Sequence, residues 1–505
     1  MKYRPLMILG TGSDVGKSIM VAALCRIFRQ DGIRVAPFKA QNMALNSFIT
    51  AEGAEMGRAQ VMQAQAAGLA PQVDMNPILL KPCAGVGCQV IVHGKVYANL
   101  GANDYYRQKA GLVRRVMASF RRLQASHDLV ILEGAGSAAE LNLRKSDLVN
   151  FSMARRAGAA VLLVADIDRG GVFAATIGTF HLLTPSERGR LAGFIINKLR
   201  GDASLFSEGV KIIQARTRKP VFGVVPYMRD LKLPQEDSVA LDRKLNHSPA
   251  PEATRLRLGV LRLPHISNYT DFDPLEQDPG VALQYLDHRR DLKDMDMVIL
   301  PGTKNTIADL VYLKQSGLFQ RLQDYARHGG QLIGICGGFQ MLGQAVKDPL
   351  GVEGTTPEEE GLGLLPLATT MAGNKTTTRV EARVIGLPGV SSSLRGYEIH
   401  MGLTAAVGPG QPVFEIYQRL GESVRVADGW ISPDHRVWGS YIHGLFDNDD
   451  FRHILLQQLR AHKGLTTEVP SAPAFAASLE AEFDRLADIV RRHLDLDQIK
   501  ALIRP

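Results

Sequence analysis

Gln331-Leu332-Ile333-Gly334-Ile335-Cys336-Gly337-Gly338-Phe339-Gln340-Met341-Leu342-Gly343 reads as an apolar strand that turns through one cysteine into a helix. Glycines on both sides of Cys336 permit a tight elbow that exposes the sulfur. A helix N-terminus favours the thiolate, and the Gly337 N–H is placed to stabilise an oxyanion. A buried structural cysteine is the plain alternative, and the flanking glycines argue against it. A thiol nucleophile needs a base. His443, in Tyr441-Ile442-His443-Gly444-Leu445-Phe446, closes another expected strand, and His400, in Gly396-Tyr397-Glu398-Ile399-His400, is its rival. Pro301-Gly302-Thr303-Lys304-Asn305 also follows a strand. Gly302 there is the candidate for the other half of an oxyanion hole, although an ordinary turn would look the same.

Working back towards the N-terminus, a second chemical signal stands at the start of the chain. Leu6-Met7-Ile8-Leu9-Gly10-Thr11-Gly12-Ser13-Asp14-Val15-Gly16-Lys17-Ser18 places a strand, a glycine-rich turn and a helix start in order. Backbone N–H groups of such a loop converge on phosphate oxygens at the positive end of the helix. Gly12 and Gly16 shape the loop, Lys17 would neutralise the terminal phosphates, and the Ser18 hydroxyl would bind Mg²⁺. Thr11 stands where the strict pattern has glycine, with Gly10 and Gly12 on either side.

Other strand ends fall where open α/β sheets bind ligands. Lys39 ends the next strand and is placed to face a phosphoryl group or its acceptor. Glu133, before Gly134-Ala135-Gly136-Ser137, is a natural direct or indirect Mg²⁺ ligand. Asp166-Ile167-Asp168-Arg169-Gly170-Gly171 gathers charge for metal or substrate contact, or makes a polar turn. Asn197 at a further strand end could hydrogen-bond a base edge, or cap a helix.

Apolar runs at 6–10, 33–38, 129–133, 160–166, 192–197 and 221–225 suit strands covered on both faces. Amphipathic stretches such as 18–29 alternate with them, so the expected fold is α/β with a mainly parallel sheet. The pattern breaks at 231–255, read as a linker, and restarts with strands at 258–263, 297–300, 332–335 and 437–442. A last stretch, 474–503, is helical by period and is expected to pack on the second domain.

The 505 residues, 45% hydrophobic and 22% charged, exclude a mainly disordered or fibrous chain. Lys+Arg 59 against Asp+Glu 51 gives +8, spread without basic runs. A nucleic-acid tail or polybasic membrane anchor is therefore not expected, whereas a small polyanionic ligand suits the charge. No apolar stretch is long enough for a membrane span. The first apolar run feeds the glycine loop directly, so it reads as a core strand and not a cleaved signal. Four cysteines are too few for a disulfide framework. Cys83 and Cys88 lack a partner pair for zinc, and Cys25 lies on an apolar helix face. A reducing, cytoplasmic compartment is the expectation.

The first 230 residues resemble the dethiobiotin synthetases. The resemblance rests on Gly10-Thr11, Val15-Gly16-Lys17-Ser18, Lys39 and Glu133-Gly134-Ala135-Gly136. It implies ATP-dependent activation of a carboxylate. Partition-type ATPases are related, but their additional early loop lysine is absent here. Residues 256–450 resemble the class I (triad) glutamine amidotransferases, through the cysteine elbow and the downstream histidine. That resemblance makes Cys336 the nucleophile on glutamine and His443 the base. Many members carry Glu two residues after the histidine, where this chain has Leu445. The third member is left open between Glu398 and Asp447. Residues 1–230 are thus expected to form an ATP and acceptor domain and 256–450 an amidotransferase domain, with 451–505 a helical extension.

Nearly the whole chain is similar to the cobyric acid synthase family. That likeness rests on Gln41-Asn42-Met43, Asn76-Pro77-Ile78-Leu79-Leu80-Lys81-Pro82, Asp166-Ile167-Asp168-Arg169-Gly170-Gly171 and Gly396-Tyr397-Glu398-Ile399-His400, and Lys39, Gln41, Asn42, Asp168 and Arg169 are the expected substrate contacts. It implies amidation of the b, d, e and g carboxylates of adenosylcobyrinic acid a,c-diamide, with ATP and Mg²⁺. The partners implied are glutamine and a corrinoid polycarboxylate, with neither nucleic acid nor membrane. Homo-oligomerisation is compatible with the sequence. Rival expectations are cobyrinic acid a,c-diamide synthase, a partition-type ATPase switch, and a glutaminase-like binding module without catalysis.

Overall fold

A computed structural model describes residues 2–83, 87–236, 241, 245, 254–465 and 473–504. Most of the expected linker, at 237–240, 242–244 and 246–253, lies outside the described residues.

The first sheet runs Val221–Pro226, Leu191–Leu199, Ala160–Asp166, Leu6–Gly10, Leu129–Glu133, Val35–Phe38, all parallel. The burial of Leu6–Gly10, Leu129–Glu133 and Ala160–Asp166 is complete along each strand, which is why they read as unbroken apolar runs. Helix Lys17–Gln30 follows the first strand through the glycine loop. The second sheet runs Val281–Leu286, Leu256–Leu261, Met297–Leu300, Gln331–Ile335, Val437–Ser440, Trp430–Ile431. It is parallel except for its short last strand. In both sheets the loops bearing the chemistry lie at the carboxyl ends of central strands, the position expected for open α/β sheets.

Antiparallel additions flank the parallel sheets. Ile78–Cys83, Gly87–Val92 and Lys95–Leu100 form a meander in the first half, and Ser47–Ile49 pairs with Glu55–Gly57 as a hairpin. In the second half, Leu367–Val384 and Ser393–Ala406 form a long antiparallel pair.

The C-terminal extension differs from the expectation. Helices Phe475–His493 and Leu496–Ile503 pack on the first domain, not the second. Leu479, Phe483, Leu486 and Val490 share one core with Leu6, Ile8, Leu24 and Phe28. The Asp495 N–H donates to Phe222 O at 2.7 Å, and a Cβ on Gly223 would lie 2.0 Å from His493 O. Arg26 pairs with Glu480 at 2.8 Å and Asp484 at 2.7 Å. The helical period gave the apolar stripe but not its partner. The stripe is met by the apolar residues of helix Lys17–Gln30, Leu24 and Phe28 among them. Phe483 is fully buried in this core. Phe483→Ala is expected to cost about 3–5 kcal/mol, seen as a lowered urea midpoint for the nucleotide-loop half.

Among the described residues no helix is long and apolar enough to cross a membrane.

Candidate active site

Cys336 sits between strand Gln331–Ile335 and helix Gly337–Leu342 with φ 51° and ψ −107°. For a non-glycine residue this conformation costs of order 1–3 kcal/mol and must be held by its surroundings. The elbow is closed by contact: a Cβ on Gly338 would lie 2.0 Å from Leu300 O, and one on Gly337 would lie 2.5 Å from Thr303 Cγ2. The thiol donates to Ile399 O at 3.6 Å and lines a cavity with Gly337, Thr303, Gln340 and His443.

His443 lies fully buried and lines the same cavity as Cys336, close enough to interact with its sulfur. Its other ring nitrogen, Nδ1, lies 2.6 Å from Asp271 Oδ2. Asp271 Oδ1 also accepts from the Gly444 N–H at 3.3 Å. Tyr397 stacks on the imidazole, with centroids 5.2 Å apart. Burial opposes the charged ring, but the Asp271 carboxylate and Cys336 outweigh it and raise its pKa to about 10. The arrangement is an imidazole oriented by a carboxylate and presented to a thiol, the geometry of a nucleophile–base–orienter relay.

Two sequence expectations need correction here. The carboxylate on His443 is Asp271, and neither Glu398 nor Asp447 fills that place. Glu398 is held by Arg419 through two contacts of 2.9 Å. Asp447 is exposed, and its N–H donates to Gly444 O at 3.2 Å. The rival His400 stacks on Tyr441 at 3.8 Å, with Nδ1 against Gly402 O. Gly302 lies directly behind the imidazole, since a Cβ there would be 3.1 Å from His443 Cε1. Thr303, not Gly302, joins Gly337 in lining the cavity.

In the first domain the expected phosphate-site residues converge. Gly16 has φ 101°, and a Cβ there would lie 2.2 Å from Asn197 Nδ2. Asn197 donates to Val15 O at 2.9 Å, so its amide braces the loop backbone. Lys17 Nζ donates to Gly12 O at 2.8 Å and Gly136 O at 3.0 Å. Ser18 Oγ donates to Glu133 Oε1 at 2.9 Å, and Lys39 Nζ donates to the same oxygen at 2.8 Å. Burial would raise the Glu133 carboxyl, but Lys39, Gln63 and Lys17 overcome it and hold it below its ordinary value.

Ser18 and Glu133 are an oxygen pair that suits Mg²⁺, which keeps several waters and takes few protein ligands. No cluster of three or more His, Cys, Asp or Glu side chains suited to a metal occurs among the described residues.

The expected substrate residues separate. Gln41 accepts from Tyr105 OH at 2.5 Å and lines a cavity of about 430 Å³ beside Gly136 and Ser137. That cavity has apolar walls, Leu80, Leu143 and Val149 among them, two cations, Lys109 and Arg144, and three carboxylates, Glu140, Asp147 and Glu187. Asn42 is turned away to Gln60 and Glu236. Asp168 pairs with Arg200, and Arg169 with Asp14 at 2.5 Å, so both stand beside the nucleotide loop and outside that cavity.

Fold and site define a class: a glutamine amidotransferase domain joined to a nucleotide-binding domain of the phosphate-loop type. Residues 257–451 match the CobB/CobQ-like glutamine amidotransferase domain, and residues 6–240 match the CobQ/CobB/MinD/ParA nucleotide binding domain. A cobyric acid synthase of Syntrophobacter fumaroxidans is 52% identical, covering 99% of both chains. Those of Sorangium cellulosum and Moorella thermoacetica are 48% and 47% identical, covering 99% of this chain and 99% and 97% of theirs. The chain belongs to the cobyric acid synthase family.

Proposed function

We infer that this enzyme amidates peripheral carboxylates of a corrinoid in cobalamin biosynthesis, using ATP and the amide nitrogen of glutamine. The observation that carries the reading is the Cys336–His443–Asp271 relay on the same chain as the Lys17–Ser18–Glu133 phosphate site. The Cys336 sulfur attacks the glutamine carboxamide. Its proton passes through His443 to the leaving nitrogen, giving a thioester and ammonia. Asp271 holds the imidazole in the tautomer with Nδ1 protonated. Water then cleaves the thioester to glutamate and regenerates the thiol.

In the first domain the γ-phosphoryl group of ATP passes to a substrate carboxylate, giving an acyl phosphate and ADP. Ammonia attacks that carbon and phosphate leaves. Phosphorylation is required because a carboxylate is a poor electrophile with no adequate leaving group. Lys17 and the loop N–H groups hold the phosphates. Mg²⁺ held by Ser18 and Glu133 would neutralise charge on the phosphate oxygens. Lys39, on Glu133, is positioned towards the transferring group. The cavity of about 430 Å³ is the acceptor site we assign: its apolar walls match a macrocycle, and Lys109 and Arg144 are its cations beside Glu140, Asp147 and Glu187.

The b, d, e and g positions of the a,c-diamide are the acceptors we assign, as the family resemblance implies. The test supplies cobyrinic acid and its a,c-diamide separately with ATP, Mg²⁺ and glutamine, and weighs the products. Amidation confined to the a and c positions would reject the assignment. Asp271→Asn is expected to slow glutamine-dependent synthesis by about 10⁴-fold, through loss of the correct tautomer. It also removes the charge that raises His443, so burial prevails and the imidazole pKa falls, measurable by NMR titration.

A further inference from the structure

The wall of the Cys336 cavity opposite the relay is built partly by the other domain. Lys81 of the nucleotide-binding half and Lys375 of the amidotransferase half both line it. Between them lies Glu55. Lys81 Nζ is 2.6 Å from Glu55 Oε1, and Lys375 Nζ is 2.6 Å from Glu55 Oε2. All three side chains are at least nine-tenths buried, at 5%, 8% and 1% exposure. Two ammonium groups on one carboxylate leave an enclosed excess of one positive charge. Neither phosphate chemistry nor the thiol relay uses this cluster. Its burial across a domain seam is costly unless it serves the junction.

The segment that carries Glu55 also reaches the second site. Strand Glu55–Gly57 runs straight into helix Arg58–Ala66. From that helix Gln63 Nε2 donates to Glu133 Oε2 at 2.5 Å, and Glu133 holds Ser18 and Lys39 on its other oxygen. The paired strand Ser47–Ile49 reaches back to the relay. The Ser47 N–H donates to Asn268 Oδ1 at 2.9 Å, three residues before Asp271. Ile49 packs on Tyr397 and Ile399, whose carbonyl receives the Cys336 thiol. One hairpin and its following helix therefore touch the thiol's surroundings at one end and the phosphate-site carboxylate at the other.

We propose that ammonia leaves the Cys336 cavity through the Glu55–Lys81–Lys375 cluster, and that this cluster is the gate by which the nucleotide domain meters glutamine-derived nitrogen. This rests on the function inferred above. The net positive charge repels ammonium and admits neutral ammonia, the only form that can attack an acyl phosphate. Burial pulls Lys375 down to about 8 in spite of Glu55, so the gate is charged at neutral pH. A shift of Glu133 on loading of the phosphate site would reach Glu55 through residues 57–63, which tells the gate when an acceptor is primed. Glu55, Lys81 and Lys375 act on the reaction by position and not by touching the reacting carbon.

The test is Lys375→Met, which removes the excess positive charge and leaves the buried Glu55–Lys81 pair intact. Glutamate, amide product and ADP are measured together, with glutamine or with ammonium chloride as the nitrogen source. The expected result is that glutamate release continues and amide formed per glutamate falls below unity. The stimulation of glutaminase by ATP and acceptor falls about fivefold or more. Ammonia-supported synthesis stays at the wild-type rate, and Lys375→Arg restores the amide yield per glutamate. A one-to-one yield with full stimulation in Lys375→Met would overturn the proposal. Should Lys375→Met not fold, Lys375→Gln is read by the same yield and the same two outcomes. Failure of the underlying function would look different, as absence of ammonia-supported synthesis in the wild type.

Discussion

Cys336→Ser is expected to abolish glutamine-dependent amide formation, by about 10⁴-fold or more, and to leave ammonia-supported synthesis near the wild-type rate. The substitution is nearly isosteric, so the elbow and the packing of Gly337 against Thr303 persist. What is lost is a thiol readily converted to thiolate. A serine hydroxyl has a far higher pKa, and an imidazole held protonated up to about 10 is not free at neutral pH to take its proton. The phosphate site stands on the other sheet and keeps Lys17, Ser18 and Glu133 in place. Parallel assays with glutamine and with ammonium chloride separate the two effects. Full glutamine-dependent synthesis by the serine variant would exclude the thioester.

Lys17→Ala should instead stop synthesis with either nitrogen donor, by roughly 10²–10³-fold or more. Lys17 is 7% exposed and is aimed at the loop by Gly12 O and Gly136 O. Removing it takes the cation from the phosphates and also one of the charges that hold Glu133 ionised against burial. Basal glutaminase is expected to survive, because Cys336, His443 and Asp271 belong to the other domain. ADP release and amide formation, followed with both donors, check this. Retained ammonia-dependent synthesis would place phosphoryl transfer elsewhere.

The two parallel sheets were legible because their strands are buried on both faces and read as unbroken apolar runs between helical periods. The phosphate loop and the cysteine elbow were legible because backbone geometry demands glycine at fixed offsets from a reactive side chain. Asp271 was not. It lies in a short turn, Tyr269–Phe272, with Asp273 two residues on, and no spacing singles it out. Its role comes from the loop after Leu256–Leu261 folding over the end of the strand that carries His443. Glu398 and Asp447 stand closer to the histidine motifs in sequence, yet Glu398 is taken by Arg419 and Asp447 faces solvent. The antiparallel pair Leu367–Val384 and Ser393–Ala406 was missed because it alternates weakly, with several exposed and half-buried positions in succession. The docking of the C-terminal helices on the first domain depends on a contact between residues more than 450 apart, which periodicity does not encode.

The linked claim, that one polypeptide takes nitrogen from glutamine and delivers it to a carboxylate activated by ATP, is tested most directly by a double-label experiment. The a,c-diamide with ¹⁸O in its free carboxylates is incubated with enzyme, ATP, Mg²⁺ and glutamine labelled with ¹⁵N in the amide. Product and released phosphate are then weighed. ¹⁵N in every new amide, with one ¹⁸O transferred to inorganic phosphate for each amide formed, is the expected result. New amides without ¹⁵N, or phosphate without ¹⁸O, would contradict it.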